Sequence, residues 1–247
     1  MKALLKRLAA AQGLRISRLG PAHRFQAMDD ALCLLAAAGY RPERAIDAGA
    51  NVGDWSRLLV RIFPDVQVHL IEPQPGCRTK LEELVRLHPG WQMSAVALSA
   101  PGVRQVQMEG GGLAGRGTGN YVVTGAATLA DAFTVSAATL DELLAGWLTR
   151  AQRPLLKLDL QGHEATALAG AGRTLEACEV VVCEASLYPF APHAGRLLEL
   201  LNWFRERDFV LHDLASLSGR TRDQRARECD LVLVRRDSPL LADCAWE

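Results

Sequence analysis

The chain carries no excess of charge of either sign. Its 28 basic residues are balanced by 28 acidic ones, so the basic footprint of a nucleic-acid binder is missing and no such partner is expected. There is no apolar run near the ~18 residues of a membrane-spanning helix. Leu4, Leu5 and Leu8 are interrupted by Lys6 and Arg7, which leaves no continuous apolar region for a secretory signal. None of the six cysteines forms a Cys-x-x-Cys pair, and no cysteine–histidine cluster has zinc-ligand spacing. A reduced, cytoplasmic setting is therefore expected. No internal repeat is visible, and no linker is strong enough to split the chain into two folded domains.

What is present is apolar: 49% of the residues are hydrophobic, enough for a substantial core. Charge is uneven locally. Lys2, Lys6, Arg7, Arg15, Arg18 and Arg24 all precede the first acid, Asp29, and Arg220, Arg222, Arg225 and Arg227 form a second basic run. Residues 1–40 read as an N-terminal helical arm, with Leu4, Leu8 and Ala11 on one face. Its role as a lid, a contact in a homodimer or a tail stays open. Residues 41–247 read as one α/β domain.

Within that domain, short β-like runs alternate with helical ones, the pattern of parallel strands joined by crossover helices. Helices are expected over 54–63, where Trp55, Leu58, Leu59 and Ile62 share a face, and over 75–87, 139–147, 164–175 and 196–207. A further helix over 28–38 precedes them. Strands are expected over 44–47, 66–71, 91–98, 133–137, 155–160 and 180–183, with a final antiparallel pair over 209–214 and 231–234. Residues 109–127, rich in Gly, Ala and Thr, read as a surface loop.

In open α/β sheets, ligands sit beyond the carboxyl ends of the strands, where the strand order reverses. The turn after the first strand reads Asp47-Ala48-Gly49-Ala50-Asn51-Val52-Gly53. Its glycines lack side chains, so a ligand could approach the backbone. Glu72 ends the second strand, 23 residues after Gly49, where a carboxylate can accept from both hydroxyls of a ribose. A dinucleotide needs G-x-G-x-x-G; counting from Gly49, the later glycine positions hold Asn51 and Asp54. A nucleoside without phosphates fits better, and S-adenosylmethionine is one.

These segments resemble a known family. Ile46-Asp47-Ala48-Gly49-Ala50-Asn51-Val52-Gly53 is similar to the first motif of class I methyltransferases, and Ile71-Glu72-Pro73 to the second. Ala95 to Ser99, Thr139 to Leu143, Lys157-Leu158-Asp159-Leu160-Gln161-Gly162-His163-Glu164, Glu184 and Asp230 to Arg235 resemble the FkbM-type methyltransferases. The resemblance covers about residues 44–236. It implies a Rossmann-like sheet of seven mostly parallel strands with helices on both faces and the last strand antiparallel. It also implies S-adenosylmethionine as cofactor and methylation of an oxygen on a small molecule or sugar. Asp47, Gly49, Asn51 and Gly53 would surround the amino-acid part of the cofactor, Glu72 with Pro73 the ribose, and Ala95 and Val96 the adenine.

An alcohol acceptor benefits from a base within hydrogen-bond reach. Asp159 and Glu184 end the fourth and fifth strands of the expected sheet, and His163 starts the following helix, so these three are the candidates. Glu164 reads as a first-turn acid favourable to the helix dipole. Tyr188 and His193, in Tyr188-Pro189-Phe190-Ala191-Pro192-His193, would wall the acceptor. No metal is assigned; Asp159, His163 and Glu184 would be its ligands only if the fold made them converge. Two other readings stay open: a non-catalytic cofactor-binding or interaction module, and an NAD-linked oxidoreductase.

Overall fold

The computed structural model describes residues 24–109, 122, 132–188, 196–219, 223 and 225–242. Helix α1 (Arg24–Ala37) leads into β1 (Arg44–Ala48), α2 (Asp54–Ile62) and β2 (Gln67–Ile71). A 3-10 turn over Pro75–Cys77 opens α3 (Arg78–Leu87), followed by β3 (Gln92–Ser94), β4 (Ala97–Leu98), β5 (Gln105–Glu109) and β6 (Ala132–Ala138). Then come α4 (Leu140–Leu143), β7 (Leu155–Leu158), α5 (Glu164–Leu168), α6 (Gly172–Ala177) and β8 (Val180–Ser186). Helix α7 (Leu197–Arg205), β9 (Phe209–Gly219) and β10 (Ala226–Arg235) complete the main elements.

Seven strands form one sheet in the order β3-β2-β1-β7-β8-β10-β9. Strand β10 runs antiparallel to both β8 and β9, and the other pairs are parallel. The order reverses between β1 and β7, which places the crevice at their carboxyl ends. Strands β7 and β8 are buried at every position, as continuous apolar runs covered on both faces must be. Alternation along them builds two cores. Leu155, Val180 and Val182 pack with Leu32, Leu35 and Leu59 from α1 and α2. Leu156, Leu158 and Val181 pack with Leu168, Leu175 and Phe204 from α5, α6 and α7. Among the described residues no helix is long and apolar enough to cross a membrane.

Several expected elements divide. The strand expected over 91–98 becomes two: β3 joins the main sheet, while β4 pairs with β6 in a small second sheet of order β4-β6-β5. The strand expected over 133–137 belongs to this small sheet, and β5 had no forecast. The helix expected over 164–175 breaks at Gly170. A β-carbon there would sit 2.6 Å from Thr139 Cγ2 and 3.0 Å from the Ser99 carbonyl oxygen. The second piece, α6, is capped from outside: Asp141 accepts from the Arg173 and Thr174 backbone N–H groups at 3.0 and 2.8 Å. The helix expected over 139–147 is regular only across Leu140–Leu143, where Thr139 and Glu142 form a reciprocal capping box. Of the 109–127 segment, Glu109 ends β5 and Val122 bridges to Met108; its other residues lie outside the described set, as do residues 1–23.

Candidate functional site

A cavity of about 810 Å³ opens at the carboxyl ends of β1, β2 and β7. Its first wall is the turn after β1. Gly49, Asn51 and Gly53 have φ of +82°, +48° and +83°, so the chain turns sharply through a region that favours glycine. The Gly49 and Ala50 N–H groups donate to the Ile71 carbonyl at 3.0 and 3.1 Å, fastening the turn to β2. A β-carbon on Gly49 would lie 1.9 Å from the Asp159 carbonyl oxygen, and one on Gly53 would lie 2.2 Å from Leu84 Cδ1. The glycines thus admit protein, strand β7 and helix α3, rather than opening a path for a ligand. Gly49 and Asn51 are on the cavity wall, whereas Gly53 is not.

Glu72 sits across the turn and is 4% exposed. Its Oε2 accepts from the Asn51 N–H at 2.8 Å and its Oε1 from the Gln74 N–H at 2.9 Å. Burial pushes its carboxyl above the ordinary range, against the pull of those two donors and the Lys157 charge. Pro73 and Val96 line the same space. Ala95 is exposed and does not, because the chain leaves the main sheet between Ser94 and Ala97.

Asp47 lies under the turn, not on the wall, and is fully buried. It accepts from the Ser56 hydroxyl at 2.6 Å and from Lys157 Nζ at 3.0 Å. Lys157 also donates to the Gly49 carbonyl at 2.8 Å and lies 3.7 Å from Asp159 Oδ2. One buried ammonium therefore joins β1, the turn and the end of β7. Such a charge is tolerable because its donors are taken by oxygens.

Asp159 lines the cavity just past β7. The strand register continues across the sheet: Leu158 pairs with Cys183, Asp230 with Glu184, and Asp230 with Ser216. Asp159, Glu184 and Asp230 thus form a row at one edge. Gln161 bridges the first two, its Nε2 donating to Asp159 Oδ1 at 2.9 Å and to Glu184 Oε2 at 3.3 Å. The Ser216 hydroxyl donates to Asp230. Glu184 is 5% exposed and not itself on the wall, but Gln161 and Asp230 are.

His163 takes a different position from the other two base candidates. It lines the cavity with Nε2 3.5 Å from the Ser99 hydroxyl, on the side of the small sheet. Glu164 is 2% exposed and folds back over its own turn, accepting from the Leu160 and Gly162 N–H groups at 2.7 and 3.2 Å. Burial lifts its carboxyl to about 7, with the Asp159 charge adding to the effect. Tyr188 is not on the wall; the Arg225 guanidinium stacks 4.7 Å from its ring centroid. His193 lies outside the described residues. Among the described residues no three His, Cys, Asp or Glu side chains are grouped to hold a metal ion, so Asp159, His163 and Glu184 do not converge as a ligand set.

Among the wall residues given no role from sequence are Lys157, Gln161 and Asp230. Two carried a signal. Lys157 is a charge inside the otherwise apolar β7, and Asp230 opens the apolar run 231–234 of β10; a buried charge implies a partner. Gln161 carried none, because its importance lies in what it reaches across the sheet.

Solved structures are similar to the chain at low identity. A putative methyltransferase from Thermobifida fusca YX aligns at 10% identity with a TM-score of 0.51, over 86% of this chain and 80% of the other. The FkbM methyltransferase of Methylobacillus flagellatus KT aligns at 17% identity and a TM-score of 0.49, over 77% of this chain and 43% of that one. This chain therefore spans less than half the length of that protein. The magnesium protoporphyrin IX methyltransferase of Synechocystis PCC 6803, solved with S-adenosylmethionine bound, aligns at 14% identity and a TM-score of 0.46, over 85% of this chain and 79% of that one. No curated protein matches the sequence. The model of the FkbM methyltransferase domain matches residues 47–211, more than half of the chain and the whole stretch from the β1 turn through β8. The chain belongs to the FkbM methyltransferase family, a family of enzymes.

Proposed function

We propose that this protein moves a methyl group from S-adenosylmethionine to a hydroxyl oxygen of a small molecule or sugar. The observation that carries the reading is one cavity lined by both Glu72 and Asp159. The residues fit the cofactor. Glu72 already spends one lone-pair direction of each oxygen on a backbone N–H, which fixes the carboxylate and leaves its remaining lone pairs for ribose hydroxyls. Pro73, Val96 and Leu98 offer apolar surface to a ring. Asn51 and Gly49 bound the space for the amino-acid part, with Asp47 and Gly53 supporting the turn from below. A volume of about 810 Å³ is at the upper end of the range for one small ligand and leaves room for an acceptor beside it.

Bound S-adenosylmethionine supplies a methyl carbon already activated by a positively charged sulfur. What the chain adds is alignment, worth several kcal/mol when reacting atoms are held in line, and a place for the proton. Asp159, which lines the cavity, is the group for that place, with Glu184 behind it across Gln161. An acceptor hydroxyl directed at Asp159 gives its proton to the carboxylate as the methyl group passes from sulfur to the hydroxyl oxygen. His163 lines the cavity beside Ser99 and is the alternative base in this reading.

Equilibrium binding of S-adenosylhomocysteine to the full chain tests the proposal, and no binding at millimolar ligand ends it. Glu72→Gln should weaken that binding by about 1.5–3 kcal/mol, the usual range for a hydrogen bond to a charged group. An unchanged affinity would place the ribose elsewhere.

A further inference from the structure

We propose that the indole N–H of Trp55, together with the start of helix α2, binds the carboxylate at the amino-acid end of S-adenosylmethionine. The proposal rests on the methyltransferase reading above and adds a binding residue to it.

The side chain is the first argument. Trp55 is the second residue of α2. It is 4% exposed and belongs to the core that holds Met28, Leu59 and Val182, yet it also forms part of the cavity wall. Its Nε1 is buried and has no hydrogen-bond partner among the described residues. Trp91 shows the usual outcome, with its Nε1 donating to the Val66 carbonyl at 3.1 Å. Buried donors in folded proteins are nearly always paired, so an unpaired one beside a cavity is matched by what the cavity binds. The neighbouring cation is already engaged. Lys157 Nζ lies 6.0 Å from the Trp55 ring centroid, but it donates to Asp47 and to the Gly49 carbonyl.

The helix is the second argument. The N–H groups of a first turn have no partner within their own helix, and no side chain caps this one, because Gly53 stands at the cap position. Such a start favours an anion. Val52, Asp54 and Trp55 all line the cavity. Asp54 brings a like charge to the same turn, but it is exposed and paired with Arg57 at 3.1 Å.

The chemistry of the ligand selects the partner. An indole N–H only donates, so it needs an acceptor. In the tail of S-adenosylmethionine the sulfonium offers none and the ammonium group only donates. The carboxylate accepts. The ribose hydroxyls are served by Glu72, which is joined to Asn51 at 2.8 Å, and α2 opens three residues further on. One continuous stretch of chain thus meets both the ribose and the tail.

The test compares two ligands on the full chain. S-adenosylhomocysteine carries the amino-acid tail, and methylthioadenosine keeps the adenine, ribose and sulfur without it. Trp55→Phe retains most of the ring and removes the donor. It should weaken S-adenosylhomocysteine binding roughly tenfold, as loss of a hydrogen bond to a charged group does, and leave methylthioadenosine binding unchanged. Unchanged affinity for S-adenosylhomocysteine overturns the proposal. Equal loss for both ligands means that the ring only packs, and overturns it too. Should the Phe variant not fold, the parent decides. Of the described tryptophans only Trp55 lines the cavity. With isotope-labelled tryptophan, one indole N–H resonance should move on adding S-adenosylhomocysteine and stay in place with methylthioadenosine. If none distinguishes the two ligands, the proposal falls. A parent that binds neither ligand ends the methyltransferase reading and this proposal with it. A parent that binds both, beside a variant with undiminished affinity, ends this proposal alone.

Discussion

Gly49 shows how one residue can be fixed by its neighbour across the sheet. Its φ of +82° asks for glycine, and the space its β-carbon would need is filled by the Asp159 carbonyl at 1.9 Å. That contact is backbone on backbone and cannot yield by a rotamer change. Gly53 has nearly the same φ, yet its clash at 2.2 Å is with the tip of Leu84, a flexible side chain. Gly49→Ala should therefore cost at least ~3 kcal/mol and Gly53→Ala only ~1–2 kcal/mol, the latter being mainly the left-handed penalty. Urea unfolding of the two variants checks this. Equal losses would mean that the backbone contact does not matter. The sequence points to glycine at both places, but the turn and the ligand path explain it equally well there. Only the position of β7 separates the two.

At the scale of elements, the region from Thr139 to Ala177 is held by caps. Helix α6 is six residues long, and the residue before it, Ala171, offers no side-chain cap. Asp141 does so from α4, accepting from the Arg173 and Thr174 N–H groups and from the Thr174 hydroxyl. Asp141→Ala should cost ~1–2 kcal/mol, as lost helix caps do, and Asp141→Asn should lose less, because one oxygen still accepts. If both variants unfold at the parent's urea midpoint, α6 is held by packing alone. The periodicity of Leu168, Ala171 and Leu175 was legible as one apolar face. The break at Gly170 was not, because it comes from close approach to Thr139 and Ser99, which belong to distant positions. Likewise the pattern of Phe133 to Ala137 gave a strand but could not say which sheet it joins.

At the scale of the molecule, two buried groups set opposing pH dependences. His69 is 5% exposed on β2, with Nε2 2.9 Å from the Ser94 hydroxyl and its ring edge-on to Trp147. Burial lowers its pKa from 6.5 to about 4. The folded chain then binds fewer protons than the unfolded one across that window, so this stability is present above 6.5 and lost as pH falls toward 4. The full effect is roughly 3 kcal/mol. Glu164 works in the other sense. Its pKa rises from 4.5 to about 7, so its contribution is whole below 4.5 and lost as pH rises through 7. The two slopes offset where the windows overlap. Glu164→Gln should remove one of them and leave stability climbing with pH between about 4.5 and 6.5. Urea midpoints across that range measure it, and a variant profile parallel to the parent's would overturn the assignment to Glu164.

The sequence by itself determined the fold class, the seven-stranded sheet with one antiparallel strand and the family. The fold class follows from apolar periodicity; the seven strands and the family come from the resemblance carried by motifs that are continuous in the chain, Asp47 to Gly53 and Lys157 to Glu164 among them. It also singled out Glu72, because a strand end at a fixed distance from a turn is a local property. Tertiary structure alone decided which of those residues meet. Asp47 went beneath the turn to Lys157 and Ser56, and Ala95 turned outward where the chain changes sheets. His163 parted from Asp159, while Glu184 joined it through Gln161. Each outcome depends on the register between strands far apart in sequence, and a single strand's side-chain alternation carries no record of its neighbour.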